Sequence, residues 1–190
     1  MKMLVNFILF QFGWFTCVIS AGNNLEALAI ISLVVIIIIH LSLDKQRWHS
    51  ELLFISITGF IGLTIDSLLI SLNVFAANSE VTFHGIAPPW LVGMWMLFGM
   101  TINHSMSWLK NKLLLASFLG GVFAPLAYWA GVRLSALENT VEYNDYLAFL
   151  IIGMCWFFVM PTLFWVSAFI NRKFGTYPLQ NNIQNSINNS

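Results

Sequence analysis

Charged side chains are scarce in this sequence: only 8% of its 190 residues are Asp, Glu, Lys or Arg. A soluble domain carries about 25% charged residues, which its water-exposed surface needs. The chain is instead 58% hydrophobic, which indicates a surface that faces lipid. The formal net charge is zero and no basic cluster occurs, so no nucleic-acid partner is expected.

Motifs of familiar active sites and metal sites are also missing. No GxSxG, Walker loop, HExxH or GxGxxG pattern in a strand-to-helix setting is present. Cys17 and Cys155 lie in apolar stretches, without a Cys or His neighbour at the spacing of metal ligands. His40 and His104 should fall at similar depth, but no HxxxH or His/Glu spacing supports a metal or haem there. The sequence therefore predicts no metal site and no cofactor.

Six apolar runs account for most of the chain. A helix that crosses the hydrocarbon core of a membrane needs about 20 mostly apolar residues. The links between most runs are short, so sequential helices should be antiparallel neighbours. We therefore predict an all-α, polytopic transmembrane bundle of six helices within residues 1–175. The runs cover residues 4–20, 25–43, 52–74, 90–106, 113–132 and 146–170.

The two ends of the chain carry separate expectations. Residues 176–190 are rich in Asn, Gln and Ser and hold no charged residue, so we expect a disordered polar tail in the cytoplasm. At the other end, Lys2 and the apolar run after it resemble a signal peptide, whose cleavage would leave five helices. Gln11 and Trp14 favour the alternative, a retained helix with a specific packing face.

Lys and Arg determine the expected orientation, because loops rich in these residues stay in the cytoplasm. Alternating loops place only Arg133 on one side of the membrane. We therefore expect a multi-pass membrane protein with both termini in the cytoplasm. The opposite side receives seven such residues, namely Lys2, Lys45, Arg47, Lys110, Lys112, Arg172 and Lys173.

Asp66 is the clearest ionisable residue inside a predicted helix. Such a side chain costs at least a few kcal/mol in hydrocarbon, so it should face the bundle interior and have a partner. Gly59 and Gly62 share its face of helix three, and small residues let another helix approach closely. Helix five carries Gly120 and Gly121, so we expect it to pack there. Asp66 is interpreted as a structural hydrogen-bond anchor, as a functional acid, or as a protonated side chain without a partner.

Four more residues complete the candidate polar interior around Asp66. Tyr128 on helix five should lie at a similar depth, and Arg133 can reach inward along its apolar stem. His104 and Trp108 share a face of helix four and are expected to form part of the pocket wall. Interhelical hydrogen bonding is the expected role of His104.

Three stretches carry a resemblance to a known family. They are NFILFQFGWF at 6–15, APPW at 87–90 leading to His104, Ser105 and Trp108, and GG at 120–121 through PLAY at 125–128 to Gly131 and Arg133. Asp66 and Ser67 fit the same pattern. Over about residues 3–170 the chain resembles a family of small bacterial inner-membrane proteins known as a domain of unknown function. The resemblance implies a membrane-lipid role, because genes of that family lie beside lipid-modifying genes.

Three functions of different classes are compatible with these residues. The first is a membrane-embedded accessory protein or enzyme of membrane-lipid metabolism or stress response, with a cavity open sideways to lipid near Asp66. The second is a small transporter with Asp66 and His104 as proton-linked groups. The third is a scaffolding bundle, whose polar residues should be fully paired and enclose no cavity. Membrane lipids are the expected partners, and a homo-oligomer or a membrane-protein partner is compatible with each function.

Overall fold

The computed structural model describes residues 2–43, 45–79, 85–140 and 144–174, so the polar tail predicted at 176–190 lies outside the described residues. The described residues confirm the predicted all-α bundle of six helices. Two short strands and a 3-10 turn at Ser107–Leu109 accompany the helices. The main elements are α1 (Lys2–Gly22), α2 (Glu26–Leu43), α3 (Trp48–Ser71), β1 (Phe75–Ala77), α4 (Pro89–Ile102), α5 (Leu113–Arg133), β2 (Leu137–Asn139) and α6 (Asp145–Phe174).

Five of the described helices are long and apolar enough to cross a membrane, as in a multi-pass membrane protein. The exception is α4, which has 14 residues, or about 21 Å at about 1.5 Å per residue. The sequence predicts an apolar run to residue 106, but the α-helix ends at Ile102. Asn103 and Ser105 instead form side-chain hydrogen bonds with neighbouring helices, so the backbone turns away from the helix axis.

The short helix α4 lies at the centre of the bundle. It packs against α1, α2, α3 and α6, and it buries both Trp90 and Trp95. Pro89 occupies its first turn, where the missing N–H of proline leaves no helical hydrogen bond unmade. Its surroundings explain why a helix too short to span the hydrocarbon can be stable there.

The small residues of α3 and α5 do not pack against each other, so that prediction is wrong. A Cβ atom on Gly62 would overlap the indole of Trp95, and one on Gly59 would lie 2.7 Å from Cγ of Met96. The glycine face of α3 therefore receives α4. On α5, Gly120 packs against Met160 of α6 instead.

The two ends of the bundle differ in structure and charge. At one end β1 and β2 pair antiparallel, with Phe75 opposite Asn139, and we call this the ladder end. At the other end lie the link from α2 to α3, residues 103–112 and the last turn of α6, and we call this the basic end. The sequence predicts only loops at the ladder end, because strands of three residues leave too short a pattern to recognise.

Candidate functional site

Asp66 anchors a buried hydrogen-bond cluster near the ladder end, which we call the carboxylate cluster. Its side chain has no solvent exposure. One carboxylate oxygen accepts a hydrogen bond from Nε1 of Trp95 on α4 at 2.7 Å. The other oxygen accepts one from the hydroxyl of Tyr128 on α5 at 2.6 Å. A single carboxylate thus links three helices through two short hydrogen bonds.

Aromatic packing holds both donors of this cluster in place. The ring of Trp95 stacks on that of Trp156 of α6, with centroids 4.5 Å apart and planes at 19°. The ring of Phe75 meets the edge of Tyr128 at 5.2 Å, so the strand β1 supports the tyrosine. Gly62 lies one turn before Asp66, where the absence of a side chain leaves room for the Trp95 indole.

The other predicted members of this interior lie elsewhere. Arg133 is exposed and places its guanidinium 5.1 Å from the ring centroid of Trp129, one turn earlier on α5. Trp108 is 52% exposed at the basic end, with the ammonium of Lys112 at 5.7 Å from its ring. His104 is also at the basic end. The structure therefore brings together Asp66 and Tyr128 and leaves these three residues outside the carboxylate cluster.

His104 belongs to a second buried cluster, together with His40 of α2 and Glu51 of α3, which we call the histidine cluster. Nε2 of His104 lies 3.6 Å from Oε2 of Glu51, and Nε2 of His40 lies 3.7 Å from the same oxygen. The two imidazole rings meet edge to face, with centroids 4.8 Å apart. Glu51 and Asp66 are 15 residues apart on α3, or about 22 Å along the helix axis.

Amide and hydroxyl groups surround the histidine cluster. Asn103 donates a hydrogen bond to Oε1 of Glu51 at 3.1 Å and accepts one from the hydroxyl of Ser167 on α6 at 2.6 Å. Asn6 of α1 lies 3.3 Å from Nδ1 of His40 and accepts a hydrogen bond from the Ser105 hydroxyl at 2.8 Å. Residues of α1, α2, α3 and α6 and of the turn after α4 therefore converge at this end of the bundle.

Glu51 was not among the candidates because its neighbours in sequence are the charged residues of a predicted loop. The spacing of His40 and Glu51 around the link between α2 and α3 nevertheless indicates that the two residues meet. His40 lies three residues before the end of α2, and Glu51 lies three residues after the start of α3. A short link between antiparallel helices brings two such positions to one level, so the hairpin pairs them.

A cleft of about 680 Å³ lies between α1 and α5, with α4 and α6 behind it. Its lining is mainly apolar and aromatic, with Phe10 and Trp14 from α1 and Phe123 from α5. Tyr128 and Trp95, the two donors of the carboxylate cluster, form part of its wall. Trp108, which the sequence predicts as part of the pocket wall, also lines this cleft. The volume lies within the range of ligand cavities, which is about 300–1,000 Å³.

The sequence matches a known protein family. The family described as "Protein of unknown function (DUF2878)" matches residues 3–162 of the sequence. The chain belongs to this family. The part matched by DUF2878 contains Asp66 and Tyr128 of the carboxylate cluster and His40, Glu51 and His104 of the histidine cluster. No curated protein and no solved structure matches the chain.

Proposed function

We propose that this protein binds the hydrocarbon chain of a membrane lipid in the cleft between α1 and α5, as an accessory protein or enzyme of membrane-lipid metabolism. The cleft itself is the observation that carries this proposal. The rims of both walls, including Phe7 and Phe15 on α1 and Leu126 on α5, are also exposed on the outside of the bundle. An apolar cleft whose rims continue into a lipid-facing surface can admit a lipid sideways.

The two alternative functions have less support from the same geometry. A scaffolding bundle should have no cavity, whereas this bundle has an open cleft of about 680 Å³. A proton-linked transporter needs titratable groups between the two clusters. The stretches of α3 and α4 between them, residues 52–65 and 89–102, contain no Asp, Glu, His, Lys or Arg.

Filling the cleft should weaken lipid binding. Ala127 lines the cleft on α5, and Ala127→Trp would place an indole in the space of the hydrocarbon chain. Val122 is 53% exposed on the same helix and does not line the cleft, so Val122→Trp is the matched control. The measurement is covalent labelling of the protein in lipid nanodiscs by a fatty acid with a photoreactive diazirine, mapped by mass spectrometry of peptides.

We expect labelled peptides from α1 and α5 in the unmodified protein and in Val122→Trp. In Ala127→Trp the labelling of these peptides should fall about tenfold, equivalent to about 1.4 kcal/mol of lost binding. Equal labelling of all three proteins, or labels spread evenly over every lipid-facing helix, would rule out a binding cleft between α1 and α5.

We propose further that the basic end faces the cytoplasm of the cell, because Lys and Arg are retained on that side. The observation behind this orientation is the position of Lys45, Lys110 and Arg172 at one end of the bundle. A reporter fused after Ser190 tests it: a fluorescent protein should be fluorescent and alkaline phosphatase should be inactive. Active phosphatase at this position would reverse the orientation.

A further inference from the structure

We propose that His40, Glu51 and His104 bind a divalent transition-metal ion at the basic end of the bundle. Three ligand atoms, from α2, α3 and the turn after α4, converge there, and all lie within 4.8 Å of one another. Nε2 of His40, Oε2 of Glu51 and Nε2 of His104 are all buried, and none has a hydrogen-bond partner among the described residues. The proposal is independent of the lipid cleft.

The distances between these atoms suit an ion better than hydrogen bonds. The separations of 3.6 and 3.7 Å from Glu51 are too long for an N–H···O hydrogen bond, which spans about 2.7–3.2 Å. Ligands that hold a tetrahedral ion at about 2.1 Å are separated by roughly 3.4 Å from each other. A shift of a few tenths of an ångström would therefore bring Glu51 to this separation from each histidine. The ligand atoms all lie within 4.8 Å of one another, so the two imidazoles would have to approach each other by at most about 1.4 Å.

The chemistry of the donors indicates the class of metal. Two imidazoles and one carboxylate suit Zn²⁺ or Fe²⁺, whereas Mg²⁺ and Ca²⁺ prefer oxygen ligands only. Three protein ligands leave a coordination position free, as in catalytic sites rather than closed structural ones. A doubly charged ion would also compensate the negative charge of Glu51, which is only 1% exposed.

Hydrogen bonds around the cluster can orient the ligands. Metal-bound histidines commonly donate their second ring N–H to an oxygen acceptor. Asn6 faces Nδ1 of His40, at present with its Nδ2 at 3.3 Å. This amide keeps its orientation, because its Nδ2 donates to the backbone oxygen of Met100 at 3.0 Å and its Oδ1 accepts from the backbone N–H of Ser105 at 3.3 Å. Coordination through Nε2 places the ring proton on Nδ1, so the His40 ring must shift away from Nδ2 when the ion binds. Asn103 already donates a hydrogen bond to the second carboxylate oxygen of Glu51, on α3, at 3.1 Å.

Zn²⁺ titration of the full chain in detergent, after treatment with a chelator, tests the site. The purification tag must contain no histidine, and Co²⁺ serves as a second probe because its visible spectrum reports the coordination. Since Zn²⁺ binds such donors more tightly than Fe²⁺, it detects the site for either metal. We expect one Zn²⁺ per chain, and visible absorption bands of bound Co²⁺.

Two ligand variants and two matched controls locate the binding. Glu51→Gln and His104→Asn keep the shape of the site and should weaken Zn²⁺ binding by more than about 100-fold. The loss of a hydrogen-bond partner outside the coordination shell already weakens metal binding by up to about 100-fold, and the loss of a ligand should cost more. Ser167→Ala removes a buried hydroxyl bonded to Asn103 but no ligand atom. His49→Ala removes an exposed histidine at the same end.

Both controls should bind Zn²⁺ within about threefold of the unmodified protein, since neither touches a ligand atom. The proposal is overturned if the unmodified chain binds neither Zn²⁺ nor Co²⁺, which would make the cluster a buried ion pair of Glu51 with a protonated histidine. Equal Zn²⁺ affinity in Glu51→Gln and His104→Asn would also overturn it. Unfolding of either ligand variant is detected by circular dichroism, and the other variant then decides.

Discussion

Replacing Gly62 by alanine is expected to lower the stability of the bundle more than the same change at Gly59, the other glycine of α3. The new Cβ would overlap three atoms of the Trp95 indole. This ring cannot retreat freely, because Asp66 holds its Nε1 at 2.7 Å and Trp156 stacks on its other side at 4.5 Å. Overpacking of a rigid core costs about 1–3 kcal/mol, and we expect a value near 3 kcal/mol.

The measurement is thermal unfolding of the purified protein in detergent. At about 2–4 °C per kcal/mol, the midpoint for Gly62→Ala should fall by roughly 6–12 °C. Gly59→Ala is the matched control on the same face, because the closest contact of its Cβ would be Cγ of the flexible Met96 side chain at 2.7 Å. If Gly62→Ala and Gly59→Ala unfold at the same temperature, the indole of Trp95 does not occupy the space beside Gly62.

Removing the carboxylate of Asp66 should have an effect of similar size. In Asp66→Ala, the N–H of Trp95 and the hydroxyl of Tyr128 both lose their acceptor in a buried site. Each such donor costs roughly 1–3 kcal/mol when left unpaired, so we expect a total loss near 3 kcal/mol. Thermal unfolding in detergent again gives the readout.

Asp66→Asn distinguishes the hydrogen bonds from the charge. The amide oxygen can accept from Trp95, and the hydroxyl of Tyr128 can turn to accept from the amide nitrogen. We therefore expect Asp66→Asn to keep most of the stability that Asp66→Ala loses. If both variants lose equal stability, the negative charge itself is required.

A double mutant tests the hydrogen bond between Asp66 and Tyr128. Tyr128→Phe should lower the free energy of unfolding less in the Asp66→Ala background than in the unmodified protein, because Asp66→Ala has already removed the hydrogen bond.

The six helices could be predicted because a long apolar run is a property of one segment alone. Which helices touch depends on the fit between two surfaces, and the sequence pattern describes only one surface at a time. The glycine face around Gly62 illustrates this limit. It indicated a close approach, which the structure confirms, but the partner is the Trp95 face of α4 and not α5.

The candidate sites were predictable to different degrees. Estimated depth was enough to pair Asp66 with Tyr128, because each lies well inside a helix whose ends are clear. Estimated depth gave the wrong contact for Arg133. Its guanidinium lies over the ring of Trp129, four residues earlier on the same helix, and side chains at this spacing are neighbours. Glu51 was missed because charged residues near a loop are usually solvated, whereas here the hairpin of α2 and α3 turns it into the bundle.

The shortness of α4 has a consequence for how the protein is assembled in the membrane. At about 21 Å this helix falls short of a hydrocarbon core about 30 Å thick, and the chain continues as irregular backbone from Asn103. Irregular backbone is tolerated at that depth only where protein, not lipid, surrounds it. Residues 103–109 obtain that surrounding from Asn6, Glu51 and Ser167, on three other helices. The central segment therefore depends on helices made before and after it, so its stable insertion is a property of the completed bundle and not of its own hydrophobicity.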